Sequence, residues 1–241
     1  VWVRAKNLKR TKRGYFSVIY GTIKFFILSV ILISTFFRAA KADVKPYRVG
    51  VEVGAGFARH EYASDFGVNG GASRLNFSGH QPALGLQGEY TIPLEKEWEG
   101  AVHVGARYYT GSLKNSHASI LALPLRYDVK QDFRYDVSLK GGKKLHNKIM
   151  LYGKGGFLLG HYAVKINDST FRSNFSQYKL GCTLGIGMDI EIDGPFSLGG
   201  VVEYDQYTAV KGHLSNTNAI GASYNIRPNM INVMLTLSYR I

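Results

Sequence analysis

From Tyr47 onward the chain repeats one pattern: apolar and polar residues alternate with a period of two. In Tyr47–Phe57, Tyr47, Val49, Val51, Val53, Ala55 and Phe57 share one face, and Arg48, Gly50, Glu52, Gly54 and Gly56 share the other. The alternation recurs in Leu84–Ile92, Val102–Tyr109, Leu121–Asp128, Leu151–Leu159, Tyr178–Ile190, Phe196–Asp205 and Ile231–Ile241. Successive strand side chains point to opposite faces, so these eight segments read as β-strands. The chain is all-β on this reading.

Either a soluble sandwich or a barrel in lipid could alternate in this way. The segments approach the roughly 9–11 residues that a tilted strand needs to cross a bilayer. Tyrosines recur near segment ends (Tyr47, Tyr90, Tyr108, Tyr127, Tyr178, Tyr204 and Tyr239), where aromatic girdles mark both membrane interfaces. The polar faces mix glycine with charges of both signs. A small soluble barrel turns its apolar face inward, which would put these charged faces outside. In a bilayer only closure leaves a sheet without unpaired edges. We therefore expect an antiparallel up-and-down transmembrane barrel of eight strands, with ten as the alternative. Its interior charge network would draw on Glu52, Glu89, Arg107, Arg126, Asp128, Lys154, Lys179, Asp189, Glu203, Asp205 and Arg240.

What precedes the barrel agrees with export. Residues 1–24 carry Arg4, Lys6, Lys9, Arg10, Lys12, Arg13 and Lys24 and no acid. The apolar core Phe25–Phe37 is shorter than the roughly 20 residues of a spanning helix and fits a secretory h-region. Ala40-Lys41-Ala42 supplies the small-residue cleavage pattern, so residues 1–42 read as a signal peptide cleaved after Ala42 and residues 43–241 as one barrel domain. An uncleaved anchor is the alternative, because Val18–Phe37 is long enough to span if Lys24 snorkels. Removing the leader also changes the charge. The whole chain carries +13, but nine of its 30 bases and none of its 17 acids lie in the leader, leaving +4. No basic block remains to grip nucleic-acid phosphates. The single cysteine, Cys182, excludes an internal disulfide and a cysteine-rich metal site.

Between the segments, residues 59–80, 112–117, 167–176 and 210–226 are polar and without clean period. Glu95–Glu99 and Glu191–Pro195 are tight joins. Long and short connections alternate, as expected of extracellular loops and periplasmic turns. Val129–Lys148 is long where a short turn is due. Phe133–Leu139 alternates weakly within it and Gly141-Gly142 signals a turn. We read it as a hairpin extending below the membrane, with an extra strand pair as the alternative.

The leader, the strand count, the glycine-rich LYGKGGFLLG (Leu151–Gly160) and the C-terminal VMLTLSYRI together resemble the small outer-membrane β-barrel superfamily of Gram-negative bacteria. That superfamily comprises the porin-like barrels related to the OmpA transmembrane domain, OmpX and the opacity-type surface proteins. The resemblance covers about residues 43–241. It implies that the last strand is read by the barrel-assembly machinery, through Leu235, Leu237, Tyr239 and Ile241. Ile241 departs from the family's terminal Phe.

Motifs for chemistry are missing. No G-x-S-x-G elbow, H-E-x-x-H zinc site or P-loop occurs, and the GxG fragments lie inside strand patterns, where glycine makes room. His161, Asp168 and Ser169 lie near one rim, a proximity that polar loops often produce by chance. No catalytic, cofactor or metal site is expected. The reading is a non-enzymatic scaffold that displays loops for envelope integrity, adhesion or surface recognition, with at most a narrow pore. Its partners would be outer-membrane lipid and lipopolysaccharide, the assembly machinery, and host or matrix molecules. A lipid-modifying enzyme and a soluble periplasmic binding barrel are the alternatives.

Overall fold

The computed structural model describes residues 46–241 except 66–72, 95–96, 121–122, 146–147, 168–171, 193 and 215–221. The cleavage residues Ala40 and Ala42 fall outside the described residues. Among the described residues there are ten strands: β1 (Tyr47–Asp65), β2 (Ser73–Pro93), β3 (Trp98–Tyr109), β4 (Leu113–Ile120), β5 (Leu123–Leu145), β6 (Ile149–Asn167), β7 (Arg172–Glu191), β8 (Phe196–Tyr207), β9 (Val210–Leu214) and β10 (Ala222–Arg240). Neighbours pair antiparallel in the order β1-β2-β3-β5-β6-β7-β8-β10, and β10 pairs back onto β1 to close the sheet. The short β4 runs beside β5 above β3, and β9 runs beside β10 above β8. The wall is therefore an eight-stranded barrel in which two of the eight positions are interrupted.

The apolar faces point outward. Val51, Leu86, Leu139, Phe157, Leu184, Ile186 and Leu235 are all at least half exposed, and Phe157 reaches 78%. Aromatic side chains bound this band. Below lie Trp98 and the ring pairs Tyr47–Tyr90 and Phe196–Tyr239, with centroids 5.3 and 5.2 Å apart. Above lie Tyr108 against Phe133 at 5.1 Å, Tyr178 against His161 at 4.8 Å, and the exposed Tyr204. Trp98 and Tyr108 bracket the band on β3. Ten residues at ~3.4 Å rise and ~40° tilt give roughly 26 Å of height, close to the ~25 Å apolar band of outer-membrane barrels.

The strands do not stop at the band. β1, β2, β5, β6, β7 and β10 run for 19, 21, 23, 19, 20 and 19 residues. The polar stretches expected to be long loops lie largely in the upper parts of these strands and in β4 and β9. Polarity inverts there. Outward positions become Arg59, Glu61, Ser78, His80, Lys165 and Arg227, while Leu113, Val129, Val164, Val210 and Ile226 are buried inside. Water replaces lipid outside, so the apolar face moves inward, as in a soluble sheet.

Val129–Lys148 is neither a hairpin below the membrane nor an extra strand pair. Phe133–Lys143 is the membrane-spanning part of β5, paired with β3 and β6 in continuous ladders. Of the Leu121–Asp128 segment, Leu123–Asp128 forms its extension above the band, and Leu121 and Ala122 lie outside the described residues. A register shift between Gln131 and Phe133 inserts Asp132 as an extra residue. Such a bulge exchanges the two faces of the strand. Below it Arg134, Asp136 and Lys140 point inward; above it Val129 and Gln131 do. Asp128 consequently lies on the outer face, opposite Lys165 in register, and not in the lumen. Tyr127 lies in the same extension, away from both aromatic rows. The side chains of Tyr127 and Arg126 are outside the described residues.

Candidate functional site: a charge-filled barrel interior

Within the apolar band the lumen is packed with charge. Glu52, Glu89, Glu99, Asp136, Asp189, Glu203 and Asp205 are buried there with Arg48, Arg107, Arg134, Lys140 and Lys154. A strand that exposes one face to lipid must turn its polar residues to the axis. Burial of an ion is costly unless it is paired and hydrogen-bonded.

Arg107 on β3 occupies the centre. Its Nε donates to Glu52 Oε2 at 2.5 Å and its Nη2 to Glu52 Oε1 at 3.1 Å. Nη1 and Nη2 also donate to the two carboxylate oxygens of Glu203. The planar fork thus bridges β1 and β8 across the lumen, a geometry that a lysine would not supply. Lys154 on β6 donates to Glu203 at 2.7 Å and lies 3.1 Å from Asp136. Arg134 on β5 donates to Asp136 at 2.9 Å and to Asp205 at 3.1 Å. Glycine provides the room: a Cβ at Gly85 would press on Arg107 and Glu52.

Below this centre, Lys140 donates to Glu89 at 3.1 Å and to Asp189 at 2.5 Å, with its ammonium 3.8 Å from the Tyr152 ring centroid. His103 sits between Glu89 and Asp136, its ring nitrogens 3.2 and 3.5 Å from the carboxylate oxygens. At the lower mouth Arg48 donates to Glu99 at 3.2 Å, and Arg240 donates to Glu191 at 2.7 Å. A cavity bounded by Arg48, Lys144, Met150, Asp189 and Glu191 measures about 10 Å³, space for one water at most. Above the centre a polar layer closes the lumen. Tyr109 donates to Asn232, Asn232 to Asp205, Tyr162 to Gln131, and Gln131 to Tyr207, at 2.7 to 2.9 Å.

The structure brings Glu52, Glu89, Arg107, Lys154, Asp189, Glu203 and Asp205 into one network, with Arg240 at its lower edge. Lys179 lies above it, half-buried, with no carboxylate partner among the described residues. Sequence reasoning missed Arg134, Asp136 and Lys140, because their segment was read as a connection. The signal was present in the alternation of Phe133, Tyr135, Val137 and Leu139 against those three and Ser138. Arg48 stood on the polar face of the first segment but was not counted among the interior charges. His161, near the rim, is held on the outer face by Asp132 at 3.2 Å, whose carboxylate also takes Lys130 at 2.7 Å. Asp168 and Ser169 lie outside the described residues.

A closed antiparallel barrel with an apolar outer band, two aromatic rows and a charged interior defines an integral outer-membrane β-barrel. The chain belongs to the outer membrane protein beta-barrel domain family, whose model matches residues 28–239. It is an outer-membrane protein. No curated protein matches the sequence. Among solved structures it is similar to the outer membrane protease OmpT from Escherichia coli, at 8% identity and TM-score 0.50, covering 84% of this chain and 99% of that one. It is also similar to the outer membrane protein OprG from Pseudomonas aeruginosa, at 14% identity and TM-score 0.49, covering 83% and 100%. A third is Ail, the attachment invasion locus protein of Yersinia pestis, at 13% identity and TM-score 0.30, covering 78% and 98%. At these identities the likeness concerns the fold.

Proposed function

We propose that this protein is a non-enzymatic scaffold of the outer membrane. In this reading the barrel is a closed plug, and its upper wall and connections carry recognition for envelope integrity, adhesion or surface binding. The observation that supports this is the filled lumen. Side chains from all eight wall positions meet in one ion-pair and hydrogen-bond network, from Arg48 at the lower mouth to the Tyr109–Asn232 layer above. Aqueous channels belong to barrels of about 16–18 strands; eight strands enclose a space that side chains fill. The strand extensions continue the paired wall above the apolar band, which suits presentation of its upper face to partners outside the cell. The partners proposed are outer-membrane lipid and lipopolysaccharide, the assembly machinery that reads the β10 end, and host or matrix molecules.

Planar-bilayer recording tests the plug: the reading expects little steady conductance, and a large stable conductance refutes it. The lipid A mass profile of a deletion strain tests the non-enzymatic part. An unchanged profile with altered detergent sensitivity or adhesion supports the scaffold, whereas a lost lipid modification overturns it.

A further inference from the structure

The fixed charges of the lumen do not balance. Among the described residues, seven buried carboxylates stand against five buried bases, Arg48, Arg107, Arg134, Lys140 and Lys154. At the lower mouth the partly exposed Lys144 and Arg240 face the partly exposed Glu191, which reduces the excess from two negative charges to one. A net charge inside the apolar band is costly, because neither lipid nor a filled lumen solvates it. One further positive charge brings the lumen to neutrality.

His103 is placed to supply it. The ring is 2% exposed, on β3. Its Nδ1 lies 3.2 Å from Glu89 Oε1 on β2, and its Nε2 lies 3.5 Å from Asp136 Oδ2 on β5. Among the described residues the ring nitrogens meet only these two acids. A neutral imidazole donates from one nitrogen and carries a lone pair on the other. Either neutral tautomer would therefore turn a lone pair towards a carboxylate, whereas the imidazolium donates to both. The surrounding cations do not remove the need. Lys140 binds Glu89 but is shared with Asp189. Lys154 and Arg134 reach Asp136 but are shared with Glu203 and Asp205. The residue opposite His103 on β5 is the uncharged Ser138.

We propose that His103 is held as an imidazolium, the cation that completes the charge balance of the plug, and that the plug weakens when alkaline conditions remove this proton. The folded barrel then binds a proton that the unfolded chain gives up at about pH 6.5. Stability is full in mild acid and falls as the pH rises. The other charged groups of the lumen do not mimic this between about pH 6 and 8.5, where carboxylates are already ionised and lysine and arginine still charged. The second buried histidine, His60, lies above the band, and burial pushes its imidazole down to about 4, so it stays neutral throughout. The proton on His103 depends on the filled lumen and not on whether the barrel is a scaffold or an enzyme.

Nitrogen-15 NMR of the full barrel in lipid nanodiscs, with the His103 ring assigned, reads the proton directly. At about pH 7 both ring nitrogens should carry hydrogen, and a single neutral tautomer overturns the proposal. Urea unfolding from lipid vesicles gives the linked energy. Where only the folded ring keeps its proton, the unfolding constant should rise about tenfold per pH unit. The wild type should therefore lose at least about tenfold between about pH 7 and 8.5. His103→Gln keeps a hydrogen-bonding side chain without the titrating proton. It should be less stable than the wild type in mild acid and flat over the same range. A flat wild-type profile overturns the proposal, as does a His103→Gln profile that falls as steeply as the wild type. If His103→Gln fails to insert, the NMR of the wild type decides. Steady conductance at every pH alongside a doubly protonated ring would refute the closed plug and leave the imidazolium standing.

Discussion

The centre of the plug yields a rescue experiment that depends on which acid has an alternative partner. Arg107→Met keeps the unbranched apolar stem of the side chain and removes the guanidinium. Glu203 then still has Lys154 at 2.7 Å and Arg134 at 3.0 Å. Glu52 has neither: it is 1% exposed, and its ion-pair partner among the described residues is Arg107. The variant therefore leaves one uncompensated buried carboxylate, a defect that costs about 3–5 kcal/mol. Adding Glu52→Gln removes that charge at the cost of an imperfectly bonded amide, about 1–3 kcal/mol. The double variant should thus recover roughly 2 kcal/mol. Adding Glu203→Gln to Arg107→Met should recover much less and could destabilise further, because Arg134 and Lys154 then lose an acceptor. The measurement is urea-driven unfolding from lipid vesicles, followed by Trp98 fluorescence at the lower interface and by heat-modifiable gel mobility. The reasoning is refuted if Arg107→Met costs under about 1 kcal/mol, or if Glu203→Gln rescues as well as Glu52→Gln.

Further outcomes follow from the two faces of the wall. Ile186→Arg and Leu235→Arg place a charge in the lipid-facing band and should each cost about 2–4 kcal/mol in vesicle folding titrations, whereas Leu235→Ala keeps the face apolar and should cost far less. Gly153→Val should be tolerated, since nothing lies within 4 Å of an added Cβ. Gly156→Val should cost about 1–3 kcal/mol by overpacking, because its Cβ would meet the Val137 carbonyl and the Ser138 backbone; equal stability of the two variants would show that the faces of β6 are misassigned. N-terminal sequencing of the envelope form should begin at Asp43 or within a residue or two, and a mature chain that retains Phe25–Phe37 would rule out the cleaved leader.

The sequence by itself determined the class of fold and the side of the wall on which most residues lie. A period of two is a local property of each strand, and a face apolar enough for lipid leaves its partner face to the lumen. Glu52, Glu89, Arg107, Lys154 and Glu203 could therefore be placed inward one segment at a time. Three things were decided only by tertiary structure. The Asp132 bulge reverses the faces of β5, moving Asp128 outside and setting Val129 and Gln131 inside; one inserted residue leaves both alternating patterns intact and hides the shift between them. The medium outside a strand changes from lipid to water partway along it, so apolar residues such as Val164 and Ile226 turn inward above the band and weaken the alternation that would have revealed the long strands. Last, Arg107 meets Glu52 and Glu203 from strands far apart in the chain. Such pairings depend on barrel closure and on the relative stagger of the strands, and an alternating pattern carries no information on stagger.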